Sequence, residues 1–349
     1  MVTDQDDPDI LHAAWHELGR EDPIVSSIET SAGVSTNRVY RLLLESGRSA
    51  FAKVSSYGSY VHFRQDHARI RQWITLLQHT SYASFMAPVL LKNGEVFTYE
   101  QSGEWVVFYG EAPRRGLLPR KLSDRDVDNL GAEMARFHQT SASVASQLAP
   151  TWQSLGSDVA ALYDQMLSKA AQTARGLSAE HAKLIRHHCD QFFSQSERLG
   201  YHSFLKLPVL IDWNRGNFSV AYDEEGFQLY SRWDYDWFRI EPRMMDFYFF
   251  CRVVREEGDQ TVFSYTSSPL LEPRFQRFVR AYHEVYPLAE NEVRFLKEAY
   301  RFFILNYVLR TGEHFFVPDI CARLSREAVT RYLPELEQLD LTPLLDCLK

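Results

Sequence analysis

The chain has no apolar run that approaches the ~20 residues a membrane helix needs. Its richest stretch, 302–309 (FFILNYVL), is eight residues long. The start, MVTDQDDPDI, lacks both the basic residues and the apolar core of a secretory signal. A cytoplasmic protein with no membrane partner is therefore predicted. Cysteine is scarce: Cys189, Cys251, Cys321 and Cys347 are the only four in 349 residues. No two form a CxxC pair, which excludes a zinc knuckle or a dithiol redox motif and predicts buried free thiols in a reducing compartment. Basic charge is in deficit, with 38 Lys and Arg against 46 Asp and Glu and a net charge of −8. Nucleic acid, which requires a basic face, is not a predicted partner. There is no internal repeat and no low-complexity tract. What the chain has in plenty is aromatic residues, at 14%. Its hydrophobic and charged fractions are those of an ordinary globular protein, and its length fits two domains or one two-lobed unit.

Periodicity divides the chain into two parts. Residues 10–18 have helical spacing, with Asp9 placed to cap them and Gly19 to stop them. Residues 24–28, 38–44 and 50–54 read as short strands, and 60–78 as a helix carrying Phe63, Ile70, Trp73, Ile74 and Leu77. Asn93-Gly94 is a hairpin turn signal between expected strands at 87–91 and 95–99, followed by an apolar strand at 105–109. Beyond about 110–120, where APRRGLLPR breaks the pattern, helices dominate. They are predicted at 123–138 with Ser123 as cap, then at about 152–169, 178–198, 242–255, 272–285, 290–311 and 322–334. A β-rich island interrupts them at 208–233. The domains are thus 1–110, β-rich, and 111–349, mostly helical, an arrangement that suggests a ligand cleft.

The chemistry concentrates in 207–220, LPVLIDWNRGNFSV. An apolar strand delivers Asp212, a polar loop follows, and Asn217 opens a second strand. A carboxylate at a strand end can orient a hydroxyl and accept its proton. A carboxamide five residues on can return beside it and coordinate Mg²⁺, and together these are parts for phosphoryl transfer. The alternative is an ordinary hairpin that happens to carry Asp and Asn. Asp234 follows 17 residues after Asn217, enough for a β-hairpin to return, and a hard carboxylate there suits Mg²⁺. In the first part, Lys53 sits inside an apolar strand (FAKV), where a lysine is costly unless it meets an anion. Upstream, 31–37 (SAGVSTN) joins two strands, and its N–H groups and hydroxyls at Gly33, Ser35, Thr36 and Asn37 could cover phosphates. A plain hairpin is the competing reading.

In combination these segments resemble the aminoglycoside phosphotransferase and choline/homoserine-kinase-like family, which has a protein-kinase-like bilobal fold. The matching stretches are SAGVSTNRVYRL (31–42), FAKV around Lys53, LGAEMARFHQT (130–140), LIDWNRGNFSV (210–220) and WDYDWFRIEPRMMDF (233–247), in the family's order. The resemblance implies an α+β fold with a small antiparallel-sheet N-lobe and a larger helical C-lobe. It implies that Lys53 and the loop residues Gly33, Ser35, Thr36 and Asn37 contact the phosphates of ATP. It makes Asp212 the catalytic base, with Asn217 and Asp234 binding Mg²⁺ and the strand at 104–109 leading to the adenine-binding hinge. Lys53 should pair with a carboxylate of the 60–78 helix. Asp66 is the only acidic residue there, and the family spacing falls nearer His67. Two departures stand out: Leu210 replaces the family's histidine two before the aspartate, and the phosphate loop is poor in glycine.

Other polar residues read as structural. Adjacent His187 and His188 point about 100° apart on a helix and are poor joint ligands. His138 reads as a structural hydrogen-bonder. Ser203 lacks the G-x-S-x-G context of a hydrolase. Arg239 or Arg243 is expected to brace Asp246. Glu298, Tyr300, Tyr307, Arg310, Glu313 and His314 are placed to wall an acceptor pocket. The function expected is ATP-dependent phosphoryl transfer to a hydroxyl of a small polar metabolite of amino-sugar, aminoglycoside or amino-alcohol type. The alternative is a non-catalytic kinase-like protein that binds a nucleotide or a partner. The oligomeric state is not legible.

Overall fold

The computed structural model describes residues 6–349 except 32, 34, 225 and 260–262. The chain divides into two compact units. The first comprises Met1–Pro113 with Ser231–Trp233 and Glu313–Val317; the second comprises Arg114–Tyr230, Asp234–Gly312 and Pro318–Lys349.

The first unit begins with helix α1 (Asp6–Leu18), strands β1 (Ile24–Glu29), β2 (Arg38–Leu44) and β3 (Ser49–Ser55), and helix α2 (Tyr60–Leu77). Strands β4 (Leu91–Lys92), β5 (Glu95–Val96), β6 (Thr98–Gln101) and β7 (Glu104–Gly110) follow. Five of these strands form one sheet in the order β1-β2-β3-β7-β6, antiparallel throughout. Strand side chains alternate between faces. Ala50, Ala52, Val54, Val106 and Phe108 meet Ile10, Leu11, Ala14, Trp15 and Leu18 of α1 in one core, with Trp15 edge-on to Phe108 at 5.0 Å. The opposite face carries Lys53, Trp105 and Tyr109 and meets α2 through Phe63 and His67. Because α1 starts at Asp6, Asp9 lies inside the helix and is not its cap. The Asn93-Gly94 turn is present, both residues having positive φ, but its strands are two residues long. Pro88 has no N–H to give a ladder, and Val89 makes only an isolated bridge, to Tyr109.

In the second unit, α3 (Asp124–Val144) opens on a capping box between Ser123 and Asp126. The single helix expected at 152–169 is two, α4 (Leu155–Gln165) and α5 (Lys169–Ala174), because Ser168 caps a fresh start. Helix α6 (Ala179–Leu199) ends at Gly200, which adopts the left-handed conformation. Next come β8 (Lys206–Val209), β9 (Phe218–Tyr222), β10 (Phe227–Arg232) and β11 (Arg239–Pro242). The helix expected from 242 begins only at α7 (Phe247–Val253), since 239–242 pairs with β8 as a strand. Helices α8 (Pro273–Val285), α9 (Glu290–Phe303) and α10 (Pro318–Glu327) complete the core. Helices α3 and α8 approach so closely that a Cβ on Gly131 would lie 2.6 Å from the Phe278 carbonyl. No helix among the described residues is long and apolar enough to cross a membrane. The four cysteines are free. Cys189, Cys251 and Cys347 are buried, with burial pushing the Cys189 thiol up to about 12, and Cys321 is half-buried.

Candidate active site

Strand β8 runs into the loop that carries Asp212, and the path of that loop is set from beneath. Asp246, fully buried, accepts hydrogen bonds from the backbone N–H of Leu210 at 3.0 Å and of Ile211 at 2.6 Å through one carboxylate oxygen. Its other oxygen lies 2.9 Å from His138 Nε2, and His138 Nδ1 lies 2.8 Å from the Tyr282 hydroxyl. This anchoring holds Ile211 at φ 60°, a left-handed conformation that is costly for a β-branched residue. The next two N–H groups turn back on the chain, Asp212 to the Leu210 carbonyl at 2.6 Å and Trp213 to the Ile211 carbonyl at 2.9 Å. The side chain of Trp213 is buried against Phe137, Phe218 and Phe250. Asp212 is thereby left half-buried on a sharp turn, with the Asn214 N–H donating to its Oδ1 at 3.2 Å.

Asn217 returns beside Asp212, its Nδ2 donating to the Asp212 carbonyl at 3.3 Å. That contact uses the amide nitrogen and not the amide oxygen. Asp234, also half-buried, is held in a similar turn by the Asp236 N–H at 3.2 Å. Asn217 and Asp234 are oxygen donors that suit Mg²⁺. Among the described residues no cluster of three His, Cys, Asp or Glu forms a protein-only metal site.

The brace beneath this loop is not the one expected. Arg239 pairs with Asp158 at 2.5 Å and donates to the Tyr307 hydroxyl. Arg243 forms a fork with Glu292. Asp246 takes backbone N–H groups and a histidine instead, the partner role read for His138 being the one observed. Leu210, in the place of the family's histidine, is buried apolar packing. The residues expected to wall an acceptor pocket are largely internal ties: Glu298 to Arg301, Arg310 to Asp158, and Tyr307 to Arg239. Tyr300 donates to the Tyr265 carbonyl at 2.6 Å. Glu313 and His314 belong to the first unit.

In that first unit, Lys53 is buried on the α2 face of the sheet. Asp66 pairs with Arg69 at 3.2 Å. His67 of α2 feels the Lys53 charge. His67 Nε2 lies 2.6 Å from the Tyr109 hydroxyl and Nδ1 2.8 Å from the Phe63 carbonyl. Burial, opposed by that carbonyl and assisted by Lys53, lowers its pKa to about 4, so the ring is neutral at pH 7. The loop at 31–37 is tied by its own hydroxyls. Ser31 Oγ accepts from the Val39 N–H at 2.8 Å, and Ser35 Oγ from the Asn37 N–H at 3.1 Å. The Asn37 side chain is buried and accepts from Ser55 Oγ at 3.1 Å, while Thr36 donates to the His314 carbonyl. A Cβ on Gly33 would meet nothing within 4 Å.

One functional candidate escaped the sequence reading. Arg252 on α7 is buried, with its guanidinium 5.2 Å from the Phe249 ring and 4.9 Å from the Tyr265 ring. Burial opposes its charge, while Tyr265, Tyr248, Asp259 and Asp212 favour it and keep its pKa above the ordinary arginine value. Its signal was a lone cation in an otherwise apolar run, FYFFCRVV.

No protein-family model matches the chain, and no curated protein matches it significantly. Solved structures do. A microcompartment-associated aminopropanol kinase shares 16% identity, with a TM-score of 0.62 over 96% of this chain and 100% of that one. An amicoumacin kinase in complex with AMP-PNP, Ca²⁺ and Ami shares 15%, with a TM-score of 0.58 over 90% and 92%. A spectinomycin phosphotransferase in complex with ADP and spectinomycin shares 16%, with a TM-score of 0.53 over 91% and 94%. The chain has the fold of these small-molecule phosphotransferases, an antiparallel five-stranded sheet followed by a mostly helical part.

Proposed function

We propose that the protein is a cytoplasmic small-molecule kinase that transfers the γ-phosphoryl group of ATP to a hydroxyl of a small polar metabolite. The observation that carries this reading is the loop at 210–217. A buried carboxylate holds it in a strained turn that presents Asp212 and Asn217 together, in a chain with the fold of phosphotransferases. Asp212 orients the acceptor hydroxyl and takes its proton as the new P–O bond forms; the bond between the γ-phosphorus and its bridging oxygen breaks and ADP leaves. Asn217 and Asp234 would hold Mg²⁺, which when bound neutralises the phosphate charge. Lys53, a cation held on the α2 face of the sheet, meets the phosphates. The loop around Gly33, Ser35 and Thr36 covers them, with Asn37 as its buried anchor. The segment that follows β7 recognises the base through its backbone. Free cysteines suit a reducing compartment. The aminopropanol, amicoumacin and spectinomycin acceptors of the similar structures support an acceptor with polar groups and a free hydroxyl.

A non-catalytic nucleotide binder draws support from Leu210, buried where the family has a histidine. One experiment separates the two. Mg·ATP turnover is measured over a panel of amino alcohols, amino sugars, aminoglycosides and hydroxy acids, with Asp212→Asn in parallel. The kinase reading expects turnover with at least one acceptor, and a loss of about 10²–10⁴-fold in kcat with nucleotide-induced thermal stabilisation intact. Stabilisation by nucleotide without turnover on any acceptor, in wild type and variant alike, sinks it.

A further inference from the structure

Among the described residues, Arg252 has no carboxylate within ion-pair distance, and its Nη1 is buried with no hydrogen-bond partner. The side chain is only 7% exposed. A guanidinium in this position gives up its water, and a buried cation is unfavourable unless an anion or strong acceptors replace that water. Two aromatic faces offset part of the cost, from Phe249 and Tyr265. Neither supplies an acceptor for the in-plane N–H groups, which form a planar fork suited to a carboxylate.

The carboxylates whose charge reaches Arg252 are Asp259 and Asp212. Asp259 is already engaged by Arg215 at 3.5 Å. Asp212 is the residue read above as the catalytic base, and its charge is also felt by Tyr265, one of the rings over the guanidinium. That ring is held in place, since Tyr300 donates to the Tyr265 carbonyl and Tyr248 donates to the Thr266 carbonyl at 3.2 Å. All these groups lie within the second unit. The arrangement is therefore a fixed, unsatisfied cation in electrostatic reach of the group that handles the acceptor hydroxyl.

We propose that Arg252 is the anion receptor of the acceptor subsite, and that the physiological acceptor is a small hydroxy acid whose hydroxyl meets Asp212 while its carboxylate is bound by Arg252. This rests on the kinase reading for the hydroxyl half and on the geometry of Arg252 for the carboxylate half. It also gives a specificity rule. A cationic acceptor places like charge against Arg252, and a neutral one leaves the buried guanidinium unpaired, so both are disfavoured relative to a hydroxy acid of the same length.

The test uses the full chain and matched probes: glycolate, 3-hydroxypropionate and 4-hydroxybutyrate against ethylene glycol, 1,3-propanediol and 1,4-butanediol. Two readouts are taken on wild type, Arg252→Met and Arg252→Lys. The first is the thermal shift produced by each probe without nucleotide. The second is kcat/KM with Mg·ATP. In wild type, at least one acid is expected to stabilise the fold and to exceed its diol in kcat/KM by about 10–100-fold, the range for a charged hydrogen-bonded pair. Arg252→Met should abolish both preferences and raise or preserve the melting temperature of the free protein, and Arg252→Lys should retain part of the preference. Absence of any acid-dependent shift in wild type, or a shift unchanged in Arg252→Met, overturns the inference. An equal fall in kcat/KM for acids and diols also overturns it, by assigning Arg252 to the transferred phosphoryl group. A marked loss of free-protein stability in Arg252→Met overturns it as well, because the cation is then already paired inside the fold. Failure of the kinase reading shows differently, as no turnover on any probe, with the thermal readout still deciding whether Arg252 binds carboxylate.

Discussion

The loops at 31–37 and 210–217 are both proposed parts of the reacting site, yet the bonds that hold them differ in reach. Most ties of the first are short in sequence, with Ser31, Ser35 and Ser55 each bonded to a residue no more than 18 positions away, and one is long, from Thr36 to the His314 carbonyl 278 positions on. The second depends on Asp246, 35 and 36 positions from the N–H groups it accepts, and behind it on His138, 108 positions from Asp246. A locally tied loop can be remade easily after a fluctuation. A loop held in a left-handed turn at Ile211 persists only because its surroundings over-determine it. The turn at 210–217 is therefore the more expensive of the two to build and the more sensitive to distant substitution.

The strongest way to break this contrast is Asp246→Ala. It leaves two backbone N–H groups and His138 without their buried acceptor, and the expected loss is about 3–5 kcal/mol of folding stability, read by urea denaturation. A loss below about 1 kcal/mol would show that the turn is held by other contacts.

Acidification loads both units. Burial holds His67 at about 4, aided by Lys53, and His188 at about 3, where burial is joined by Arg301, His187 and Lys297. Both folded-state values lie below the ordinary 6.5. The unfolded chain therefore takes up protons first, and stability present above pH 6.5 is lost as the pH falls towards those values. Between pH 6.5 and 5 each histidine accounts for about 2 kcal/mol. His67→Gln should remove roughly half of the slope attributable to the pair, measured by denaturation at pH 5, 6 and 7. An unchanged slope would mean that His67 is not held neutral beside Lys53.

The smallest effects belong to the local loop. Ser31→Ala removes one part-buried acceptor and should cost about 0.5–1.5 kcal/mol. Gly33→Ala meets no neighbour and should leave the melting temperature unchanged while raising the KM for ATP, if phosphates approach that backbone. A KM for ATP that stays put in Gly33→Ala would take the loop out of the nucleotide site.

Much of this was legible beforehand. Strands 24–29, 38–44 and 49–55, helix α2, the Ser123 cap and helices α6 and α8 carry their period and their turn chemistry in adjacent residues. The strand at 239–242 was not, because IEPRMMDFYFF reads as helix until β8 offers a partner ladder. Asp212, Asn217, Asp234 and Lys53 were legible as residue types at suggestive spacings. The brace of Asp246 was assigned by charge, and the structure supplies a different group, backbone N–H groups with His138 in place of the arginine. Charge complementarity along the sequence is a poor guide to buried pairing, since desolvation penalises a second ion as much as it rewards the pair.

By itself, then, the sequence determined the order of elements, the two-part division of composition, and the few polar side chains embedded in apolar runs. Those depend on interactions between near neighbours, which period and turn chemistry report directly. Only the tertiary structure decided that Asp246 lies under the turn at 210–213, that His67 is held neutral by burial and the Lys53 charge, and that Arg252 is a buried cation with no carboxylate in ion-pair distance among the described residues. Each of these is a pairing, or a missing pairing, between groups far apart in the chain. It is settled by which side chains lose their water together, and no local pattern encodes that.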